Sequence, residues 1–368
     1  MKSILGIFFG LAVLLFPIVS SADSDTRALA EEQNYTKQDF YSGKIIEIVE
    51  DQERNIAGTQ TRVQVLKVGV DNHEIGEVIV ENTGTLTGET PYFEPGDQVL
   101  LTRIETPFET SFHIVDRYRV PQLLMVLVVF FLLVLHFIRF KGLSAFLGLL
   151  ISIAILIWFI VPRILSGSNP ILIGFVGAFF IAVLSLYMAH GVNKRSSIAL
   201  LSTLATLLVS AFMAWGTVVL TGLTGLGSEE AFFLQLEPDL AINLQGLLLA
   251  GIVIGALGVL DDITTAQTAV VEQLHAVNKE LDSKELYTRA FHVGREHIIS
   301  LVNTLALAYA GASLPLFVFF SLEGQPPLWV SLNNPAVSEE IVRTLVGSAS
   351  LVLAVPITTY FAVKFYKK

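Results

Sequence analysis

Hydrophobic and polar positions follow two different periods along this chain, and the change falls near residue 120. Between residues 39 and 116, short runs alternate apolar and polar positions, are rich in β-branched residues, and are separated by glycine and proline. This pattern predicts about five strands. They read GKIIEIVE, TRVQVLKV, GEVIVEN, DQVLLTRIE and FHIVDRY. Five short strands in one small region predict a small all-β domain, with an OB-like closed barrel as the expected fold.

After Pro121 the apolar stretches become long enough to cross about 30 Å of hydrocarbon as helices. We expect about seven spans, and therefore an all-α polytopic membrane helix bundle that follows the small all-β domain. The expected spans are residues 121–138, 143–162, 170–190, 198–222, 241–261 or a later register, 298–320 and 342–363.

The polar and apolar pattern also predicts the domain boundaries. Lys2, the apolar run Ile4 to Val19 and the small residues before Asp23 are typical of a signal peptide over residues 1–22, or of an uncleaved N-terminal anchor. Residues 23–38 are polar and are expected to form a flexible lead-in. Residues 39–119 then form the β domain, and residues 120–368 form the transmembrane helical domain.

Composition agrees with a membrane protein that carries one polar domain. Hydrophobic residues make up 53% of the chain and charged residues 15%, against about 25% charged in soluble domains. Residues 23–120 hold 19 acids and 9 bases, which accounts for the whole net charge of −10. An acidic domain argues against nucleic acid as a partner. The chain has no cysteine, which excludes disulfides, thiolate metal sites and cysteine nucleophiles.

Basic residues in the loops between spans predict the orientation, because cytoplasmic loops are enriched in lysine and arginine. Eleven of these bases fall on one side, and the opposite loops hold Arg163 and several acids. We therefore expect residues 23–120 to be extracytoplasmic, and the C-terminus and a segment of short amphipathic helices over residues 272–297 to be cytoplasmic. The eleven bases are Arg139, Lys141, Lys194, Arg195, Lys279, Lys284, Arg289, Arg295, Lys364, Lys367 and Lys368.

Two adjacent aspartates interrupt an uncharged stretch. Asp261 and Asp262 carry the only charges between residues 240 and 271. A carboxylate at the bilayer centre costs roughly 2.5–3.5 kcal/mol on insertion scales, so such residues usually have a role. If the span begins near Ala241, the pair lies at the cytoplasmic interface. If it begins near Leu247, the pair lies near the middle of the membrane, and an ion or proton coupling role follows.

The helical period places Asp262 on one stripe with Gly251, Gly255 and Gly258. Gly251 and Gly255 form a G-x-x-x-G pair, which is typical of close helix packing in membranes. We therefore predict that the three glycines pack against another helix and that Asp262 points toward it. Asn303 in the sixth span is the predicted hydrogen-bond partner of Asp262.

Catalytic chemistry finds little support. Adjacent aspartates on one helix diverge, so they cannot form the facing pair of an aspartic protease. The sequence contains no nucleophile elbow, P-loop or H-E-x-x-H motif, and the scattered histidines lack metal-ligand spacing. We expect no enzyme activity, no metal and no cofactor.

Three segments carry a family resemblance. GSNPILIGFVGAFFIAVLSLYMAHGVNKRSS, GALGVLDDITTA and NTLALAYAGASLPLF resemble the YibE/F-like family of bacterial multi-pass membrane proteins. The resemblance covers residues 120–365 and implies a multi-pass topology in the bacterial inner membrane, without a well-established activity. The order of an external domain, an aspartate helix, a charged stretch and two final helices is more distantly similar to SecD/SecF and RND-type transporters. That similarity implies proton coupling through an aspartate.

Two functional hypotheses follow. The first is a secondary transporter or transport component for a small solute or ion, with Asp262 and Asp261 as the hypothesised proton- or ion-coupling pair. The alternative is a membrane scaffold or assembly protein whose external β domain binds an extracytoplasmic protein partner. In either case the lipid bilayer is the expected surrounding, and nucleic acid is not an expected partner.

Overall fold

The computed structural model describes residues 37–56, 59–72, 75–83, 92–105, 110–138, 140–238, 240–322, 324 and 326–367. The predicted signal peptide or anchor over residues 1–22, and nearly all of the predicted lead-in over residues 23–38, lie outside the described residues. The described residues form two compact units, which divide between His136 and Phe137.

The first unit contains a five-stranded antiparallel sheet, which forms a small all-β half-barrel. Its strands are β1 (Lys37–Ile56), β2 (Thr59–Val70), β3 (Glu77–Thr83), β4 (Gln98–Glu105) and β5 (Thr110–Arg117). The order across the sheet is β3-β2-β1-β4-β5. Alternate side chains point to one face, as the period of two predicts, and they form the core. This core comprises Ile45, Leu66, Val68, Val70, Val80, Phe93, Val99 and Leu101. The prediction of five strands is therefore confirmed.

A buried glutamine attaches the segment before β4 to this sheet. The Gln64 side chain donates a hydrogen bond to the Phe93 carbonyl and accepts one from the Phe93 backbone N–H, both at 3.2 Å. The amide therefore pairs with Phe93 as a neighbouring strand would. Phe93, which is fully buried, packs among the strand residues of the core.

The helices begin at α1 (Val120–Ile138), which belongs to the first unit as far as His136. The other long helices are α2 (Phe140–Ile155), α4 (Pro170–His190), α5 (Lys194–Thr221), α7 (Leu244–Val277), α8 (Ser283–Ala312) and α11 (Pro335–Tyr366). The short ones are α3 (Val161–Leu165), α6 (Glu229–Leu236), α9 (Leu314–Phe320) and α10 (Leu328–Ser331). A π-helical turn over Leu156–Ile160 joins α2 to α3.

Helix α7 is the centre of the second unit, because it contacts α4, α5, α8 and α11. Helices α5, α7 and α11 also contact one another in pairs and form a three-helix core. Small residues such as Ala199 and Ala354 are fully buried there. Small side chains let helix backbones approach closely, which is how helices associate in membranes.

Six described helices have the length and hydropathy of a membrane span, and a seventh arises if α8 and α9 count as one broken span. These two helices are bent by 62° relative to each other. Pro315 near the start of α9 explains the break, because its ring cannot continue the preceding hydrogen-bond ladder. The prediction of about seven apolar helices thus agrees with the structure, and these helices suggest a multi-pass membrane protein.

The segment over residues 272–297 differs from the prediction of short amphipathic helices. Helix α7 continues to Val277, and α8 already begins at Ser283 and then runs without interruption to Ala312. The Asp282 side chain accepts a hydrogen bond from the Glu285 backbone N–H and caps α8. Apolar residues of this segment, including Leu281 and Leu286, are buried in the bundle, and this packing stabilises two long helices.

Candidate functional site

The two aspartates of α7 occupy different surroundings. Asp261 is largely buried and lies toward α4, where the Ser185 hydroxyl is within hydrogen-bonding range of its carboxyl group. The Oδ1 atom of this carboxyl group is buried and has no hydrogen-bond partner among the described residues. Asp262 is exposed, and His190 at the end of α4 lies within electrostatic range of it. Successive helical residues are about 100° apart, which explains why adjacent carboxyl groups face different environments.

This arrangement reverses the prediction for the pair. The helical period predicts that Asp262 faces a packed helix, whereas in the structure Asp261 is the more buried of the two residues and Asp262 is exposed. Among the described residues, no lysine or arginine forms an ion pair with Asp261. The site is therefore a carboxyl group in a helix interface, next to a serine and without a described counter-ion.

The predicted glycine stripe also lies on a different face from the one expected. Gly251 and Gly258 are exposed, and a Cβ atom at either position would meet no atom within 4 Å. At Gly255 the nearest atom would be Tyr309 Oη on α8, at 3.6 Å. The structure thus differs from the prediction that these glycines pack closely against another helix. The period identified the stripe correctly, but the neighbours of α7 pack on its other faces.

Asn303 does not join the pair. It lies on α8 with an exposed side chain, and no described hydrogen bond connects it to Asp262. Part of the space between the two helices is a crevice of about 400 Å³, whose lining includes Ala266, Gln267, Glu296 and Ser300. The predicted Asp262–Asn303 contact is therefore absent from the described structure. The face of α7 that includes Ala266 and Gln267, and not the face of Asp262, lies toward this part of α8.

Close helix contact occurs instead between α4 and α7. A Cβ atom at Gly174 would lie 2.6 Å from Ala250 Cβ and 3.1 Å from Ala250 Cα. Eleven residues further along each helix, which is about three turns, Ser185 of α4 lies next to Asp261 of α7. A Cβ atom at Gly148 of α2 would lie 3.7 Å from Ser185 Oγ, which is an ordinary contact distance. The α4–α7 interface is therefore closest at Gly174 and Ala250, and helix α2 contacts it at Ser185.

Gln267 is a buried polar residue that the sequence analysis did not select. Its amide nitrogen donates to the Ala290 carbonyl at 2.9 Å and to Thr359 Oγ1 at 2.7 Å, so it links α7 to both α8 and α11. A Cβ atom at Gly294 would lie 2.5 Å from Gln267 Oε1. Gly294 therefore lets α8 approach the amide. A glutamine inside the uncharged run ITTAQTAVV was the available signal.

Hydroxyl groups line the contact between α5, α7 and α11. The Thr203 and Thr264 hydroxyls are hydrogen-bonded to each other at 2.7 Å across α5 and α7. Most of the others donate to a carbonyl of their own helix, and Thr358 Oγ1 is buried without a partner. We call this set the hydroxyl seam. It consists of Ser202, Thr203, Thr206, Ser210, Thr264, Thr268, Ser350, Thr358 and Thr359, all nearly inaccessible.

A glutamate lies at each end of this three-helix core. At one end, Glu272 accepts a hydrogen bond from Tyr366 Oη at 3.0 Å and lies 3.6 Å from Arg195 Nη1. At the other end, Glu339 is buried and accepts from the Gly227 backbone N–H at 3.0 Å. We call these the basic end and the acidic end, after the Lys194–Arg195 pair and Glu339. Within the described residues, no group of three or more His, Asp or Glu side chains could hold a metal ion.

A multi-pass membrane helix bundle with a small β unit before it is the class that these observations suggest. Comparison with protein families gives a match to the YibE/F-like protein family over residues 126–368. The match covers well over half of the chain, so the chain belongs to the YibE/F-like family. No curated protein and no solved structure matches it, and the more distant similarity to SecD/SecF and RND-type transporters finds no support.

Proposed function

We propose that this protein is a secondary transporter, or a component of one, that moves a small solute or ion across a bacterial cell membrane. Asp261 is the proposed group that binds and releases a proton or a cation. The observation that carries the proposal is the buried, unpartnered Oδ1 atom of Asp261 at the α4–α7 interface. Ionisable groups inside membrane bundles are costly and are found mainly where ions or protons move. No catalytic step and no cofactor belong to this proposal.

The length of α7 supports a position of Asp261 inside the hydrocarbon region. At a rise of 1.5 Å per residue, Asp261 lies about 16 Å along the helix from Glu272 and about 25 Å from Leu244. Leu244 and Glu272 are therefore about 42 Å apart along the helix, close to the thickness of a bilayer with its headgroups. If they lie in the two headgroup regions, Asp261 lies roughly 10 Å inside the hydrocarbon.

Asp261 is a better candidate than Asp262 for a physical reason. A carboxyl group that exchanges a proton during transport needs surroundings in which the protonated acid and the carboxylate have similar free energies. A carboxyl group next to a hydroxyl inside a helix interface meets this need, because the Ser185 hydroxyl can donate to an ionised carboxylate and accept from a protonated one.

A hydrophobic carbodiimide tests the proposal without knowledge of the substrate. Such reagents dissolve in the membrane and modify carboxyl groups that are protonated in apolar surroundings. We expect dicyclohexylcarbodiimide to modify the protein in membrane vesicles, and the adduct to be lost in Asp261→Asn but kept in Asp262→Asn. Mass spectrometry of the peptide that contains both residues measures the adduct. An adduct that survives Asp261→Asn and disappears in Asp262→Asn contradicts the assignment.

Proton movement is the second measurement. In proteoliposomes that contain a pH-sensitive dye, we expect purified protein to increase proton flux under an imposed membrane potential, and Asp261→Asn to abolish the increase. Asp262→Asn is the matched control, since it removes the neighbouring charge and leaves Asp261 unchanged. Equal flux through the original protein and Asp261→Asn would count against proton coupling.

The proposed orientation places the β unit outside the cytoplasm and the basic end of the core inside. The support is the positive charge of the loops, as in the positive-inside rule. Because the chain has no cysteine, a single cysteine at Asn278, which is exposed after α7, is a unique label. A membrane-impermeant maleimide should label it in inside-out vesicles and not in intact cells. The reverse pattern would contradict the orientation.

A scaffold function remains the alternative, and one observation favours it. The β unit exposes apolar side chains on its surface, among them Ile46, Val49 and Ile79. We propose that its small antiparallel half-barrel is OB-like. Exposed apolar groups of this kind suit a protein partner. A photo-crosslinking residue at Ile79 should then give one discrete adduct in cells, whereas the same residue at exposed Glu77 gives less. Absence of any adduct at Ile79 would argue against this alternative.

A further inference from the structure

We propose that Glu272, Arg195 and Tyr366 form a latch that keeps the basic end of the α5–α7–α11 core closed to water. Release of this latch would hydrate the nearest part of the hydroxyl seam. The inference goes beyond the proposed transport function, because it concerns a conformational change that can be measured without a substrate.

The latch joins the ends of three different helices through one carboxylate. Tyr366 Oη of α11 donates to Glu272 Oε1 at 3.0 Å, while Arg195 Nη1 of α5 lies 3.6 Å from Glu272 Oε2. Each oxygen of the α7 carboxylate thus contacts a different helix. Lys194 Nζ lies 4.8 Å from the centre of the Tyr366 ring, and the His275 ring also lies beside Tyr366. These contacts hold the tyrosine in place.

An apolar layer lies behind the latch, and the hydroxyl seam begins behind that layer. Ile198, Val271 and Ala362, one from each of the three helices, are buried together in this layer. Thr268 lies one helical turn before Glu272 on α7 and is fully buried. The order from the basic end is therefore a charged network, an apolar layer and a row of hydroxyls. Water must pass the first two in order to reach the third.

Two unpartnered hydroxyls indicate where water would bind once the latch opens. Ser196 Oγ, next to Arg195, and Thr358 Oγ1, inside the seam, are both buried, and neither has a hydrogen-bond partner in the part of the chain that the structure describes. Both residues are almost completely inaccessible. Burial of a polar group without a hydrogen-bond partner costs free energy, and a hydrogen bond to water would remove this cost. The closed state therefore leaves at least two hydroxyls that are better satisfied when the core is hydrated.

A cysteine reporter in the seam measures the latch directly. Thr358→Cys is nearly isosteric, and it is the only thiol in a chain that lacks cysteine. We expect a small water-soluble thiol reagent to label it slowly in the original background. In Tyr366→Phe and in Glu272→Gln, labelling should be roughly tenfold to a hundredfold faster, which corresponds to the loss of a hydrogen bond to a charged group. Glu280→Gln is the matched control, since Glu280 is exposed in the segment after α7.

A second reporter separates latch opening from unfolding. Ala214→Cys is fully buried in a cluster with Leu248 and Val346, away from the latch residues. Release of the latch should accelerate labelling at Thr358→Cys and leave Ala214→Cys unchanged. Equal acceleration at both reporters would mean general unfolding and would overturn the proposal. Unchanged labelling of Thr358→Cys in both latch variants would overturn it as well.

Discussion

Two faces of α7 differ in what covers them. Toward α4, the helix packs closely enough for Gly174 to contact Ala250, and it buries Asp261 without a counter-ion in the described residues. Along the stripe that begins at Gly251, the same helix exposes Gly258 and Asp262. Two identical side chains in adjacent positions therefore have opposite surroundings, because packing partners cover only one of the two faces.

This comparison shows that glycine alone does not identify a helix contact. The G-x-x-x-G stripe lies on the open face, while the close contact uses Gly174 of α4 and an alanine of α7. A small residue permits close approach, but the approach occurs only where a second helix is available.

The largest effect is expected from a large side chain at Gly174. Gly174→Leu forces atoms against the Ala250 backbone, where a Cβ alone would lie 3.1 Å from Cα, so we expect a loss of about 3 kcal/mol of stability or more. Gly258→Leu is the control on the open face and should change stability little. Thermal unfolding in detergent measures both variants. Equal destabilisation by the two substitutions would show that the open face is packed in solution.

Replacement of the buried carboxyl group should stabilise the protein. Asp261→Leu removes an unpartnered buried oxygen, so we expect a gain of about 1–3 kcal/mol, together with loss of any proton flux. Asp262→Leu should leave the unfolding temperature almost unchanged, because its side chain is exposed. A lower unfolding temperature for Asp261→Leu than for Asp262→Leu would show that Asp261 has a partner in the folded protein.

The contribution of Gln267 is expected to be smaller and can be measured as a coupling energy. Gln267→Leu and Thr359→Val each remove one partner of the 2.7 Å hydrogen bond between α7 and α11. The double-mutant cycle should give a coupling of about 1 kcal/mol, as for a typical hydrogen bond between neutral groups. Thr265→Val is the control, because Thr265 bonds only to carbonyls of its own helix. Coupling with Thr265→Val of the same size would contradict the assignment.

The smallest effect is expected at Asp51, a carboxylate on the surface of the β unit. Unlike Asp261, it is exposed and paired with an arginine. A hydrogen bond from Arg62 holds the pKa of Asp51 below its ordinary value. A lowered pKa in the folded state gives stability that is present above the unfolded pKa of about 3.9 and is lost as the pH falls through the folded value. NMR titration of protein labelled with ¹³C at aspartate carboxyl carbons measures the pKa, and Arg62→Gln should raise it. No difference between the two proteins would refute the role of Arg62.

Local patterns in the sequence were sufficient for much of this architecture. Alternation of apolar residues predicted five strands before residue 120, and long apolar stretches predicted about seven helices after it. The resemblance to the YibE/F-like family was confirmed by the family match. The same patterns missed the continuous length of α7 and α8, because the charged residues between 272 and 297 resemble a surface segment although Leu281 and Leu286 are buried.

Local patterns were enough to predict the class of the chain, the presence of about seven apolar helices and an aspartate pair in one of them. These properties depend on composition and on periods of two and 3.6 residues, which are local. Only the tertiary structure decided that Asp261 is the buried member of the pair, that Gln267 links three helices, and that Glu272 contacts Arg195 and Tyr366. A period divides a helix into faces, but which face is covered depends on residues that are distant in the chain.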